Sequence, residues 1–192
     1  MFSAGFRVKI TNFGSTRYGF FTAGHIAESS ATIYIKADQS GTGTDVAIGA
    51  AASYDIVCSG SVDAAFIELS SSVVPYNSVF DSSTALYSGT VVALPQWASV
   101  YKDGASTHVT SGIVENPSFL WNPGNVVLTD MVKTTYERAG GDSGGVVYSE
   151  PSGNMSYIVG IHSGGATTNG VSTYGVYTKA QNALSVFGAE VY

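Results

Sequence analysis

Four glycines surround one acid and one hydroxyl in the stretch Gly140-Gly141-Asp142-Ser143-Gly144-Gly145. Glycine permits positive φ angles and lets main-chain N–H groups converge on one point. A nucleophilic hydroxyl beside converging donors suits acyl transfer, because the donors hold the oxyanion that develops during the reaction. Taken alone, the stretch is also typical of a glycine-rich hairpin that carries an ordinary serine.

Two further stretches each contribute one residue of a type used with such a serine. In the first, a strand ends in Thr-Ala-Gly and then presents His25. In the second, Asp63 opens an apolar strand, where an unpaired buried carboxylate is costly and an imidazole N–H is a good partner. A lone histidine is most often a core or surface residue, and a lone aspartate a turn residue. Together with Ser143, they predict a nucleophile, a base and an orienting acid.

The composition favours a single all-β protein. The chain has 192 residues, of which 44% are hydrophobic and 11% charged, and it is rich in Gly, Ser, Thr, Val and Tyr. Eight Lys and Arg residues and a net charge of −6 argue against nucleic-acid binding. No apolar run approaches the ~20 residues that span a membrane. Residues 1–7 lack the organisation of a signal peptide, so either synthesis without a leader or a start at a mature domain fits.

Short alternating segments separated by Gly, Ser, Asn or Asp predict strands along most of the chain. They cover residues 6–11, 18–22, 31–36, 64–69, 90–94, 113–115, 126–135, 145–148, 156–162 and 172–178. Residues 179–188 have helical apolar spacing; we expect Thr178 to cap this helix and Gly188 to end it. The polar segment 70–84 is the best candidate for a crossing between two halves.

The order His25, Asp63, Ser143, with the serine inside Gly-Asp-Ser-Gly-Gly, resembles the chymotrypsin-like serine endopeptidases. Within them it is similar to the bacterial streptogrisin and glutamyl endopeptidase branch, over nearly the whole chain. The resemblance implies one all-β peptidase domain, residues 1–192, made of two antiparallel six-stranded β-barrels and a short C-terminal helix. The first barrel would occupy residues 1–75, and the second barrel with the helix residues 76–192.

The resemblance also implies a role for each site residue. Ser143 would be the nucleophile, His25 the general base and then acid, and Asp63 the residue that orients the imidazole. The backbone N–H groups of Gly141 and Ser143 would form the oxyanion hole. Ser163 matches a serine that hydrogen-bonds the catalytic aspartate, and its strand is expected to pair with the substrate backbone.

The specificity pocket implied by the resemblance is walled by residues 137–140, 161–165 and 174–177. In the glutamyl endopeptidase branch, a histidine at the position of His162 contacts the substrate carboxylate, and an imidazole N–H is a suitable donor for a buried acid. Arg138 would add positive field, and Thr178 or Ser163 a hydroxyl. The expected substrate-binding residues are Arg138, His162, Ser163, Gly164 and Gly165. We therefore predict cleavage after Glu, with Asp weaker; a structural His162 in a pocket for apolar or small residues is the alternative.

Asp142 needs a cation. In the bacterial branch, a basic side chain just after the first cysteine of the second disulfide fills this role, and Lys102 stands at that position here. The resemblance thus implies a Lys102–Asp142 ion pair that supports the glycine-rich loop of residues 140–145, here called the oxyanion loop, without activation cleavage. Arg138 is the other candidate partner, and a solvated surface Lys102 is the alternative.

The cysteines usual in the bacterial relatives are missing. Phe2 and Ile26 stand at one pair of positions, Tyr101 and Ser111 at a second, and Glu137 at one position of a third. A lost disulfide typically costs about 2–5 kcal/mol, part of which Phe2 against Ile26 could recover. The replacements affect stability and compartment rather than chemistry.

Three other residues carry no predicted chemistry. Cys58, the single cysteine, is interpreted as a buried small hydrophobe and His108 as a surface residue. Glu28 and Asp45 lie in loops, but no ligand spacing supports a Ca²⁺ site there. We expect no cofactor and no metal.

We expect polypeptide substrates, no nucleic-acid or membrane partner, a monomer, and a secreted, extracellular location. Three alternatives stay open: a non-catalytic peptide-binding relative, an esterase, and a protein that cleaves itself once. The order His, Asp, Ser disfavours an α/β-hydrolase esterase, in which the serine comes first.

Overall fold

The computed structural model describes residues 2–27, 31–36, 44–73, 75–80 and 82–192. The strands are β1 Arg7–Asn12, β2 Ser15–Thr22, β3 Thr32–Lys36, β4 Asp45–Ala50, β5 Ile56–Ser59, β6 Val62–Leu69, β7 Ala85–Val91, β8 Ser99–Gly104, β9 His108–Trp121, β10 Leu128–Thr134, β11 Val146–Ser149, β12 Met155–Thr168, β13 Val171–Lys179 and β14 Ala189–Val191. One α-helix, α1, covers Ala180–Phe187, and 3₁₀ turns cover Gly24–Ile26 and Ser53–Asp55. The predicted all-β class with one short C-terminal helix is confirmed.

The strands form two sheets. The first has the order β14-β1-β2-β6-β4-β3 with β5 paired to β6, and the second has the order β11-β8-β9-β10-β13-β12-β7 with β11 also paired to β12. Each sheet contains seven strands rather than the expected six. One strand of the second sheet, β7, runs parallel to β12.

The last strand corrects the expected division of the chain. Residues 76–192 were assigned to the second barrel, but β14 pairs antiparallel with β1 of the first sheet, for example Val8 with Val191. The C-terminal residues therefore cover an edge of the first sheet. Without β14, the backbone groups of β1 on that side would lack their hydrogen-bond partners.

Strand β6 is buried on both faces, which explains the burial of Asp63. Val62 and Phe66 pack in one apolar cluster with Phe21, whereas Ile67 packs in a second cluster. Apolar side chains on both faces exclude water from residues 62–67 of the strand, whereas Glu68 near its end is exposed. A carboxylate within residues 62–67 is therefore desolvated and must find its partners inside the protein.

The helix ends as predicted, but its start differs. Gly188 follows α1 in the left-handed conformation with φ 58°, and its N–H bonds to carbonyls of the last turn. The residue that precedes the helix is Lys179, which makes no side-chain capping bond. The prediction that Thr178 caps the helix is wrong, because the alternation of β13 turns its side chain inward toward Asp63.

Several strands are longer than the sequence predicts, and some strands are not predicted at all. β9 and β12 each span 14 residues, far more than the short segments predicted there. The sequence does not predict β4, β5, β8 and β14, and β7 covers residues 85–91 rather than 90–94. Within the described part of 70–84, which omits Val74 and Asp81, no strand forms. The segment lies between β6, the last strand of the first sheet before it, and β7 of the second sheet.

Candidate active site

His25 and Asp63 form a hydrogen-bonded pair. His25 lies in the 3₁₀ turn after β2, and β2 pairs with β6, which carries Asp63. His25 Nδ1 lies 2.8 Å from Asp63 Oδ2, and the His25 backbone N–H donates to Oδ1 at 2.8 Å. The aspartate side chain is fully buried, whereas that of the histidine is 37% exposed. The hydrogen bond to Asp63 raises the pKa of His25 above the ordinary histidine value, although burial opposes this.

Thr178 supports the main chain of Asp63. Its Oγ1 accepts a bond from the Asp63 N–H at 3.0 Å and donates to the Asp63 carbonyl at 3.3 Å. Ser163 was expected to bond to the aspartate, but its hydroxyl pairs with Thr178 Oγ1 at 3.2 Å. Ser163 therefore connects to the main chain of Asp63 through the Thr178 hydroxyl.

Ser143 lies in the loop between β10 and β11, next to the chain segment that leads to His25. A Cβ atom on Gly144 would clash with the Thr22 hydroxyl, and it would lie 3.1 Å from the Ala23 nitrogen. Only glycine allows this close approach, and its φ of 93° is also unfavourable for other residues. The sequence-predicted nucleophile and base are thus brought to neighbouring segments of the two sheets.

The Ser143 hydroxyl is not hydrogen-bonded to His25 in the described chain. It donates instead to the Ser163 carbonyl at 3.5 Å, a long and weak bond. Hydrogen bonds between nucleophile and base are often loose before substrate is bound. The Ser163 carbonyl consequently lies next to the hydroxyl of the predicted nucleophile.

Backbone donors on both sides of Asp142 lack a hydrogen-bond partner among the described residues. The N–H groups of Asp142 and Gly145 bond within the loop, and that of Gly144 bonds to the His162 carbonyl at 2.8 Å. The N–H groups of Gly141 and Ser143 make no such bond in the described chain. Free donors on either side of Asp142 suit the binding of an oxyanion.

Lys102 and Asp142 form an ion pair inside the protein. Lys102 Nζ lies 3.2 Å from Asp142 Oδ2, and both side chains have 0% exposure. Burial lowers the pKa of Lys102. Burial also raises the pKa of Asp142, but hydrogen bonds from Ala139, Thr107 and Ser106 outweigh it and bring the pKa to about 2. The carboxylate is therefore charged and fully partnered, and Arg138 is not its ion-pair partner.

His162 contacts Tyr136 behind the predicted pocket wall. The two rings meet edge to face, and His162 Nδ1 lies 3.0 Å from the Tyr136 hydroxyl. Burial, with the charge of Lys102, lowers the pKa of His162 to about 3, and burial raises the pKa of Tyr136 well above its ordinary value. Both groups are consequently neutral near pH 7. Sequence reasoning missed Tyr136, because it is distant in the chain and carries no motif.

The other predicted substrate-binding residues lie along β12 and in the loop before Ser143. Arg138 is half-buried, and its Nε has no hydrogen-bond partner among the described residues. Its charge contributes, after burial and Lys102, to the lowered pKa of His162. Gly164 and Gly165 pair with β13, and the Trp121 ring leaves no room for a Cβ atom on Gly164.

A cavity of about 280 Å³ opens beside His25 and Asp63. Its lining residues are His25, Cys58, Asp63, Trp121, Pro123, Asn125, Val126 and Leu128. None of them belongs to the predicted pocket walls. The mostly apolar lining suits an apolar side chain of a ligand bound next to His25.

His108 is exposed as predicted, whereas Cys58, expected to be buried, is only partly so. Cys58 is half-buried, and burial raises the pKa of its thiol to about 11, so the reactive thiolate is scarce near pH 7. His108 is exposed at the start of β9. Glu28 lies outside the described residues, and within them no cluster of His, Cys, Asp or Glu could hold a metal ion. No described helix is both long and apolar enough to cross a membrane.

Two β-sheets with a short C-terminal helix, and a His-Asp pair facing a glycine-rich serine loop, define a chymotrypsin-like fold. The sequence model of the trypsin family matches residues 13–187, and the chain belongs to that family. This agrees with the resemblance found in the sequence.

The proteins that are similar to this chain include two curated bacterial proteases and one solved structure. Serine protease 1 of Streptomyces fradiae and glutamyl endopeptidase 2 of Streptomyces griseus are each 35% identical over 94 residues, or 49% of this chain. The matched stretch spans 25% and 47% of those two relatives. A solved glutamic-acid-specific serine protease, which uses a histidine triad in substrate binding, is 26% identical with a TM-score of 0.74. That match covers 100% of this chain and 93% of the other.

Proposed function

We propose that this protein is a serine endopeptidase that cleaves after glutamate. The observation that carries the proposal is the hydrogen-bonded pair of His25 and Asp63 on one sheet, with Ser143 and its unpartnered N–H donors on the adjoining loop. The trypsin family and the protease relatives support the same chemistry. Nothing in this chemistry calls for a cofactor.

The proposed reaction follows the roles of the three side chains. Ser143 Oγ attacks the carbonyl carbon of the scissile bond, and His25 Nε2 accepts the hydroxyl proton. The N–H groups of Gly141 and Ser143 hold the oxyanion, and Asp63 stabilises the imidazolium. His25 then protonates the leaving amine, so that an acyl-enzyme remains on Ser143. Water then attacks the acyl carbon while His25 accepts its proton. His25 returns that proton to Ser143 Oγ as the ester bond breaks, which releases the acid product.

Glutamate preference would come from His162. A neutral imidazole with Nδ1 accepting from the Tyr136 hydroxyl presents an N–H at Nε2, which can donate to a carboxylate. The Nε of Arg138, which has no hydrogen-bond partner among the described residues, would add a second donor or a positive electrostatic potential. Among the relatives, a glutamyl endopeptidase and a glutamic-acid-specific protease support this choice.

This chain would bind glutamate with different partners from the structural neighbour. It contains three histidines, of which His25 pairs with Asp63 and His108 is exposed on the hairpin between β8 and β9. A binding site made of three histidines is therefore not available around His162. Tyr136 takes the place next to the ring, and it fixes which nitrogen carries the proton.

A preference for apolar residues is the second candidate for specificity. Tyr136 and Tyr177 are fully buried around His162, and a carboxylate there must give up its hydration. In that case His162 would serve only to pair with Tyr136. The alternative predicts similar rates for Gln and Glu substrates, and higher rates for Leu or Phe.

The test uses peptide amides that differ only in the residue before the cut: Glu, Gln, Asp, Leu and Arg. We expect Glu to exceed Gln by at least about tenfold in kcat/KM, the effect of one well-made hydrogen bond to a charged group. Ser143→Ala and His25→Ala serve as controls and should be inactive, and a serine-directed phosphonate should label only Ser143. Equal Glu and Gln rates refute the specificity, and an unlabelled, inactive wild type refutes the peptidase in favour of a peptide-binding protein.

We further propose that the protein acts as an extracellular monomer on polypeptides. The low charge content and the resemblance to bacterial proteases support the location. Sedimentation of the purified chain and its assay in culture medium against cell extract test these two points.

A further inference from the structure

The turn between β8 and β9, residues 105–107, lies against the oxyanion loop. The Ser106 hydroxyl donates to the Gly140 carbonyl at 2.6 Å. The backbone N–H groups of Ser106 and Thr107 donate to Asp142 Oδ1 at 2.9 and 3.0 Å. One exposed turn thus contacts both the buried aspartate and the peptide bond that precedes Gly141.

The Gly140–Gly141 peptide bond is the critical one. Its carbonyl oxygen is the acceptor of the Ser106 bond, and its N–H is the Gly141 donor of the proposed oxyanion hole. Carbonyl and N–H of a trans peptide lie in one plane and point in opposite directions. An anchored carbonyl therefore fixes the direction of the N–H on the other side.

Among the described residues, the Ser106 hydroxyl is the hydrogen-bond partner that holds this peptide. Glycine stands on both sides of it, and a Cβ atom on Gly140 would meet no atom within 4 Å. Gly141 has a φ of 102°, in a region open to glycine, so both residues can rotate at low cost. A half-turn of the peptide would place a carbonyl where the oxyanion must bind, which would repel it.

Ser3 holds the next peptide in a comparable way but with another consequence. Its hydroxyl donates to the Gly141 carbonyl at 2.8 Å and accepts the Ala105 N–H at 2.8 Å. The N–H of that next peptide belongs to Asp142 and bonds to the Ala139 carbonyl. Ser3 therefore braces the loop, whereas Ser106 acts on the peptide that carries a proposed oxyanion donor.

We propose that Ser106 is a positioning residue that keeps the Gly140–Gly141 peptide turned so that the Gly141 N–H faces the oxyanion. The inference rests on the proposed peptidase function and deepens it. Ser106 touches neither substrate nor reacting atoms; it acts through one carbonyl oxygen. Its loss should weaken the binding of the tetrahedral intermediate and leave the binding of the substrate unchanged.

The experiment compares wild type with Ser106→Ala, Ser106→Thr and the control Ser118→Ala in the full chain. Ser118 is also exposed, and its hydroxyl bonds to Asp130 at 2.9 Å, outside the site. We measure kcat and KM on the Glu peptide, the affinity for a Glu peptide aldehyde, and unfolding in urea. The aldehyde forms a tetrahedral adduct whose oxygen occupies the oxyanion hole. KM reports mainly the binding of the substrate while its scissile carbonyl is still neutral.

For Ser106→Ala we expect kcat to fall at least tenfold, toward the about 10²–10³-fold that loss of a whole oxyanion donor costs. KM should stay within about twofold, aldehyde affinity should fall in parallel with kcat, and the unfolding midpoint should match that of Ser118→Ala. Ser106→Thr, which keeps the hydroxyl, should restore most of the rate.

Three results would overturn the inference while leaving the peptidase intact. They are unchanged kcat and aldehyde affinity in Ser106→Ala, a loss confined to KM or to unfolding, and a Ser106→Thr variant as slow as Ser106→Ala. A wild type that neither hydrolyses the peptide nor reacts with the phosphonate overturns the proposed function, and with it this inference.

Discussion

Replacing Lys102 by methionine should destabilise the protein by about 3 kcal/mol. The Nζ atom lies 3.2 Å from Asp142 Oδ2 with both side chains at 0% exposure. With an effective dielectric constant of about 20, this separation corresponds to an attraction of about 5 kcal/mol. Methionine also removes the cost of burying the ammonium group, which is evident in the lowered pKa of Lys102. The remaining loss lies at the low end of the ~3–5 kcal/mol typical of breaking a buried pair.

The same substitution should reduce activity, because Asp142 lies between the two proposed oxyanion donors. Urea unfolding gives the free energy of unfolding. The value of kcat on the Glu peptide reports whether the loop around Asp142 keeps the conformation that the reaction needs. Lys133→Met is the matched control: Lys133 pairs with Glu115 at 2.8 Å, but the side chains are 29% and 35% exposed. That pair should contribute less than about 1 kcal/mol. If both variants unfold alike and Lys102→Met keeps its kcat, the reasoning about the buried pair is refuted.

The pH dependence of unfolding provides an independent check on Asp142. Its folded pKa of about 2 lies below the ordinary 3.8, a difference worth about 2.5 kcal/mol. Because the folded pKa is depressed, this contribution is complete above about pH 5 and is lost as the pH falls from 4 toward 2. Asp142→Asn should flatten the stability profile in that range. A mutant profile parallel to that of wild type would contradict the low pKa.

Three further substitutions test other parts of the site. Asp63→Asn removes the bond that raises the pKa of His25, so the acid limb of kcat/KM should move to lower pH while the rate falls about 10⁴-fold; an unmoved limb would count against the pairing. Tyr136→Phe should lower the ratio of kcat/KM for Glu over Gln substrates about tenfold but leave phosphonate labelling intact. An unchanged ratio would show that the tyrosine does not determine which nitrogen of His162 carries the proton. Gly144→Ala should lower the free energy of unfolding by about 2–4 kcal/mol, measured by urea, because a positive φ and a clash with Thr22 act together; wild-type stability would contradict both.

The sequence predicted features that depend on local pattern. Alternating apolar residues indicated strands, and Gly188 marked the end of the helix because a residue in the left-handed region favours glycine. The order of His25, Asp63 and Ser143 also indicated the family, which the match to the trypsin family confirms. These signals lie within short segments or in a motif that many sequences share.

Contacts between distant segments were missed or misjudged. The sequence predicts Thr178 as a helix cap and Ser163 as the hydroxyl next to Asp63. In the structure the Thr178 side chain points inward and contacts Asp63, and Ser163 contacts Thr178. Tyr136 contacts His162 from another strand, and Ser106 reaches Gly140 across a turn. A tyrosine or a serine has no distinctive spacing, so its partner is defined only when the sheets are assembled.

The pairing of β14 with β1 has a consequence for folding rate. Val8 lies opposite Val191, so the edge of the first sheet is completed by residues from the far end of the described chain. Contacts of such high sequence separation require closure of nearly the whole chain before they form, which slows folding. On the ribosome, β1 would wait for β14 until synthesis had passed residue 191, leaving its backbone edge open to other strands. Completion of the first sheet should therefore follow the emergence of β14 from the ribosome, and aggregation would compete with it until then.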